Sequence, residues 1–256
     1  MSRLSGKVAI VTGSSGGIGR ATALEFAKEG ADIVVHYRSR MTEAIEVANK
    51  ISSLGRKAIL SQVDFTNTSQ APHAVRKMVD ETIKHFGKID ALVNLAGYPA
   101  QGEWNKLFLD LTAEDFFKPI NVDLFGSFLC ARAVAPHMIR EKKGVIVNVS
   151  STPALVGHEK GFAFSVAKAA VIGLTKALAV ELAPHVRVNT VALGNVETEW
   201  LKELTDPELQ QAKQENLLRR FGTPEEVAKC LVFLCSDDAS FINGQTMVLD
   251  GGGILH

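Results

Sequence analysis

Three glycines stand where a strand-like run hands over to a helix-like one. The segment VAIVTGSSGGIGRA carries Gly13, Gly17 and Gly19 behind a β-branched stretch and ahead of an apolar helical pattern. The first glycine allows a tight turn. The other two let backbone approach a pyrophosphate and let helix pack on strand. A helix beginning there offers free N–H groups and the positive end of its dipole, which is what a dinucleotide's phosphates require. The second strand-like run ends in His36-Tyr37-Arg38-Ser39-Arg40, with no Asp or Glu between Ile33 and Arg40. A carboxylate there would accept hydrogen bonds from a ribose 2′-hydroxyl and repel a 2′-phosphate. Arg38, with Arg40 beside it, can instead fork onto a phosphate. The pattern predicts NADP as cofactor, with NAD as second choice.

These residues need a frame, and the chain supplies one by alternation. Strand patterns at 7–12, 31–36, 56–62, 91–94, 144–150, 186–193 and 246–249 alternate with helical patterns at 17–29, 41–54, 69–86, 112–142, 161–183 and 224–235. Pro119 and Pro136 are the expected disturbances of the longest helix. Such alternation implies an α/β fold, a single doubly wound parallel sheet of Rossmann type with helices on both faces. One domain over 1–256 is expected, because no low-complexity linker divides it. The polar stretch 195–218 fits neither strand nor core helix and follows a strand end, so it is a candidate substrate lid. The 28 Lys and Arg balance the 28 Asp and Glu, which gives the chain no electrostatic reason to seek nucleic acid or an anionic membrane. Its apolar runs fall short of the ~18 residues of a membrane span. Cys130, Cys230 and Cys235 form no CxxC pair, so neither disulfides nor a metal site is expected, and a reducing cytoplasm is the expected setting.

Thr12 through Gly19, TGxxxGIG in pattern, resembles the cofactor signature of the short-chain dehydrogenase/reductase family, and the resemblance extends from Lys7 to Ile254. It implies cofactor contacts at Gly13, Ser15, Gly17, Ile18, Gly19 and Arg38, at Asp64 and Phe65 after the third strand, and at Asn94, Ala96 and Gly97. The run Asn94-Leu95-Ala96-Gly97 is similar to the family's NNAG motif, with Leu95 as the departure. After the sixth strand, Gly194, Val196 and Thr198 correspond to residues around the nicotinamide, although Leu193 stands where the family has proline.

The same resemblance implies an active site of asparagine, serine, tyrosine and lysine. Asn121 matches the asparagine of the long central helix, expected to anchor a water in a proton relay. Ser151 matches the serine that orients a substrate carbonyl, and Lys168 the lysine that grips the ribose and lowers the tyrosine pKa. The tyrosine belongs four residues before the lysine, on the same helix face, and that position is Phe164. Phenylalanine has no proton to give. The gap reads first as a Tyr→Phe replacement that keeps the ring's shape, so that the chain is an inactive or weakened form of an NADP-dependent carbonyl reductase. The alternatives are a natural Tyr-less member that reduces an already protonated imine, and a non-catalytic NADP-binding protein.

Tyr98, Trp104, Thr152, His158 and Trp200 fall on loops at strand C-terminal ends, the rim where open α/β sheets bind ligands. They are the expected substrate contacts, with His158 a conceivable substitute acid. No arginine clamp stands near Ser151, so a small neutral ketone or secondary alcohol is the expected substrate. Surplus apolar residues on the two longest helices, Leu124, Phe128, Ala169, Leu174 and Leu178, suggest helix-to-helix association, and the resemblance implies a homotetramer.

Overall fold

The computed structural model describes residues 2–99 and 102–255; residues 1 and 256 at the ends of the expected domain lie outside it. Seven parallel strands form one sheet in the order β3-β2-β1-β4-β5-β6-β7. The strands are β1 (Val8–Val11), β2 (Asp32–Tyr37), β3 (Ala58–Gln62), β4 (Ala91–Asn94), β5 (Gly144–Ser151), β6 (Val186–Leu193) and β7 (Thr246–Leu249). They alternate with α1 (Gly17–Lys28), α2 (Met41–Ser53), α3 (Ala71–Phe86), α4 (Ala113–Pro119), α5 (Gly126–Arg140), α6 (Pro153–Val156), α7 (Phe162–Glu181), α8 (Asp206–Gln214) and α9 (Pro224–Cys235). The doubly wound α/β sheet read from the sequence is the one observed.

Strand alternation sorts the core into two layers. Ala9, Val11, Val93, Val145 and Val147 meet Phe26 of α1, Val47 of α2 and Leu231 of α9 on one face. Ile10, Leu92 and Ile146 meet Met78 of α3, Val134 of α5 and Ala179 of α7 on the other. The sheet order reverses between β1 and β4, so their connections leave in opposite directions and open a crevice at the strand C-termini.

The helix expected over 112–142 runs through both prolines, but not as one regular helix. Thr112 caps α4 through a reciprocal box with Asp115. Ile120–Phe125 is then a π-helical turn, and α5 follows. Together Ala113–Arg140, like Phe162–Glu181, is long and apolar enough to cross a membrane by length and composition, which corrects the expectation that no such run exists. Both pack on the sheet instead, through Val122, Leu129 and Val134 and through Ala179.

Asparagines tie these helices to the sheet from within. Asn94 at the end of β4 donates to Asn148 Oδ1 at 2.8 Å and to the Ser127 carbonyl at 3.4 Å. Asn148 donates to Thr175 Oγ1 at 2.9 Å, and Thr175 donates on to the Val171 carbonyl. All of this is buried, so each bond is costly to break. Asn148→Ala strands the Asn94 amide and is expected to cost roughly 3 kcal/mol in equilibrium urea denaturation. A loss within a few tenths of a kcal/mol would show the network to be incidental.

Candidate active site

The phosphate cradle is built by close approach. A Cβ on Gly19 would lie 2.2 Å from the Gly13 carbonyl oxygen, so no other residue lets α1 start this near β1. No side chain caps α1, which leaves its first amides free for an anion. Gly13 has its own N–H engaged, donating to His36 Nδ1 at 2.8 Å, while the other ring nitrogen of His36 meets the Val63 carbonyl at 3.1 Å. The imidazole is therefore the neutral Nε2–H tautomer, fully buried, and burial lowers its pKa to about 4.

Beside the cradle lies a cleft of about 230 Å³ lined by Gly13, Ser15, Arg38, Asp64, Phe65, Ala96 and Gly97, among others. Arg38 is exposed and makes no ion pair among the described residues. Arg40 is committed: its guanidinium forks onto Glu199 at 3.0 and 2.6 Å, so Arg38 is the arginine left for a phosphate. Asp64 receives Thr66 N–H and O–H at 2.9 and 2.7 Å. Phe65 borders the cleft, but its ring is buried against His36 at 5.2 Å. Two expected cofactor contacts are partly engaged by the protein itself. The Asn94 amide nitrogen donates into the buried network, while its Oδ1 is buried without a partner. The Ile18 side chain packs on the core, and its amide belongs to the uncapped first turn of α1. Beyond β6, Gly194 donates its N–H to Leu249 at 3.1 Å. Val196 is buried, and Thr198 lies against Gly17, within 3.7 Å of where a Cβ would stand. Gly17 and Thr198 thus close the cradle from two sides.

The catalytic group assembles with one correction. Lys168 Nζ is almost buried and touches Asp123 Oδ1 at 2.6 Å and the Val149 carbonyl at 3.0 Å. The helix residue facing the lysine is thus Asp123, not Asn121. Positions two apart lie on opposite sides of a helix, and Asn121 lines an outward groove with Phe117, Leu124, Phe128 and Leu174. The second oxygen of Asp123 accepts Tyr98 N–H at 3.0 Å. Gly97 closes over the pair, since a Cβ there would stand 3.2 Å from Asp123 Oδ1 and 3.7 Å from Lys168 Nζ. Cleft and Lys168 are therefore neighbours. Ser150, at the end of β5, donates to the Lys168 carbonyl at 2.8 Å and is buried; Ser151 donates to the Leu193 carbonyl at 3.1 Å and is partly open. Thr152 N–H also reaches the Leu193 carbonyl, at 2.9 Å.

Phe164 is half-buried, with Lys168 Nζ 5.6 Å from its ring centre and Trp104 edge-on to it at 5.6 Å. Trp104 also packs on His158 at 5.4 Å. His158 is exposed and accepts Lys160 N–H at 3.1 Å, with Trp104 between it and Phe164. Tyr98 directs its hydroxyl to Glu103 at 3.2 Å, and Glu103 pairs with Lys118 at 2.7 Å. The Tyr98 hydroxyl hydrogen is thus turned to Glu103, and burial and the nearby Glu103 raise the phenol's pKa. Trp200 folds back, donating Nε1–H to the Val196 carbonyl at 3.0 Å.

Residues 13–253 match the family profile described as enoyl-(acyl carrier protein) reductase. A 3-oxoacyl-[acyl-carrier-protein] reductase of Synechocystis is 39% identical, with all of both chains covered. The chain belongs to the short-chain dehydrogenase/reductase family. Among solved family members, a short chain dehydrogenase from Burkholderia cenocepacia in complex with NADP superposes with a TM-score of 0.87 at 33% identity, covering 98% of this chain and 99% of that one. A 7α-hydroxysteroid dehydrogenase with NADH and 7-oxo glycochenodeoxycholic acid gives 0.90 at 34%, covering 99% and 96%.

The buried His36 makes the cradle acid-sensitive. Unfolded, the imidazole takes its proton near pH 6.5; folded, only near pH 4. Between these values the unfolded chain binds the extra proton, so stability is full above pH 6.5 and falls as pH drops towards 4. The loss is expected to be on the order of 3 kcal/mol. His36→Asn removes that part of the slope in urea titrations taken across this window; an unchanged slope would refute the assignment.

Proposed function

We propose that this family member is an NADP(H)-dependent oxidoreductase that moves hydride at a carbonyl-type carbon of a small substrate. The observation that carries the reading is the uncapped N-terminus of α1 opening on a crevice whose other wall, Gly97, touches the Asp123–Lys168 pair. When bound, the coenzyme supplies or accepts hydride. Gly13, Ser15, Gly17 and Gly19 are suited to its phosphates, Asp64 to its adenosine end, and Gly194, Val196 and Thr198 to its nicotinamide end. Lys168 is suited to its ribose hydroxyls, and Arg38 to a 2′-phosphate. The relatives solved with NADP and with NADH support this coenzyme class.

Tyr98, Trp104, Thr152, Phe164, His158 and Trp200 form the substrate side in this reading, and the segment 195–218 is its lid. The lid is helical, with a turn at Glu199–Glu203 and α8 behind it. With phenylalanine at 164 the chain lacks the phenolic proton for a ketone–alcohol pair, so for that chemistry it is a weakened form. The second departure, Asp123 against the lysine, favours a site that diverged as a unit over a single deleted hydroxyl. A homotetramer goes with the reading, supported by the groove of about 550 Å³ whose walls include Phe117, Leu124, Phe125, Phe128 and Leu174. So does a cytoplasmic setting, with all three thiols free.

Phe164→Tyr is expected to raise NADPH-dependent ketone reduction by about 10²–10⁴-fold across a carbonyl panel; no gain with any ketone would sink the assignment of position 164. Arg38→Asp is expected to weaken NADPH binding roughly 10- to 100-fold while NADH binding holds or improves, as read by fluorescence titration of both coenzymes. Equal losses for both would remove Arg38 from the 2′-phosphate.

A further inference from the structure

The phenolic donor that a ketone needs is missing at position 164, and what surrounds that position suits a cation. Phe164 offers a ring face and no proton. Ser151 spends its hydroxyl hydrogen on the Leu193 carbonyl at 3.1 Å, which leaves its oxygen lone pairs as acceptors. Lys168 would ordinarily make the pocket positive. Here Asp123, fully buried and 2.6 Å away, cancels that charge. Trp104 stands edge-on to Phe164 at 5.6 Å, extending an aromatic wall. A neutral pair, acceptor oxygens and aromatic faces favour a ligand with positive charge spread over carbon and nitrogen.

We propose that the substrate is a cationic C=N compound, an iminium ion or protonated imine. The step balances without an acid. Hydride from a reduced nicotinamide forms the new C–H bond, the C=N π pair moves onto nitrogen as a lone pair, and the product is a neutral amine; the nicotinamide is oxidised and no proton is taken up. A ketone leaves an alkoxide that must be protonated, and no phenol stands at 164 to do it. A protonated imine would donate its N–H to Ser151 Oγ, while an alkylated iminium would rely on the aromatic faces alone. Asp123 acts through Lys168 as a positioning residue. The proposal rests on the hydride-transfer reading above and names its substrate class.

The test uses N-methyl-3,4-dihydroisoquinolinium, a permanent cation, against the uncharged bicyclic ketone 1-tetralone. Quenching of tryptophan fluorescence in the coenzyme-free protein is expected to show the cation binding roughly tenfold tighter than the ketone. NADPH oxidation is expected with the cation and at background with the ketone. Asp123→Asn should erase the cation-to-ketone preference, whereas a purely structural role would weaken both ligands alike. The unaltered chain's own preference needs no variant, so it decides the matter if Asp123→Asn does not fold. If NADPH binds and Phe164→Tyr reduces ketones but the cation is neither preferred nor reduced, the imine proposal falls and the hydride-transfer reading stands. If NADPH does not bind, both fall.

Discussion

An ammonium group taken out of water costs several kcal/mol unless something of opposite charge goes with it. Lys168 is that ammonium, and the site is organised around its compensation. Asp123 supplies the charge from the π turn and Val149 supplies a carbonyl from β5. Because the other oxygen of Asp123 holds the Tyr98 amide, the loop leaving β4 is fixed by the same carboxylate. Ser150 holds the carbonyl of Lys168, which ties the end of β5 to the same helix position. Two connections at the crevice rim thus converge on one ion pair. The asparagine network one layer below locks β4, β5 and α7 in register behind it.

This pairing also makes sense of two departures from the family pattern that look unrelated along the chain. A phenol beside the lysine would share its charge as the phenolate forms. With phenylalanine at 164 nothing on that helix face can do so, and an amide at 123 would leave a buried cation uncompensated. A carboxylate at 123 restores neutrality. Removing one partner of a buried pair typically costs about 3–5 kcal/mol, which is enough to couple the two positions. Phe164 and Asp123 are most simply one change in electrostatics, written at two places.

Much of this was legible in the chain. The glycine spacing gave the cradle, because only backbone is involved there, and the four-residue step from Phe164 to Lys168 gave their shared face, because α7 is a regular helix. Asn121 misled for the opposite reason. The segment 120–125 is a π turn, so its residues leave the 3.6-residue phase, and two polar candidates two positions apart lie on opposite sides. Asp123 carried a signal, an acid in an otherwise apolar run, yet nothing local says which side faces the sheet. Asn94 shows a related limit: motif position shows that the residue matters but not that its amide nitrogen ties β4 to β5. Arg40 could not be separated from Arg38 because its partner, Glu199, lies far along the chain.

That distant contact bears on how the segment 195–218 is held. The Arg40–Glu199 fork joins it to the cradle, but both side chains are about half exposed, and exposed pairs contribute at most about 1 kcal/mol. The segment also bonds to itself. Thr205 and Glu208 cap α8 reciprocally, Asn195 reaches Glu215 at 2.6 Å, and Asn216 reaches the Arg220 carbonyl at 2.9 Å. The segment's two ends are tied to the body: Leu218 N–H meets the Gly251 carbonyl at 3.2 Å, and Val196 is buried in the sheet's core and bridged to Gly222. Thr198, two residues beyond Val196 and against Gly17, therefore carries the packing of this segment directly onto the start of α1.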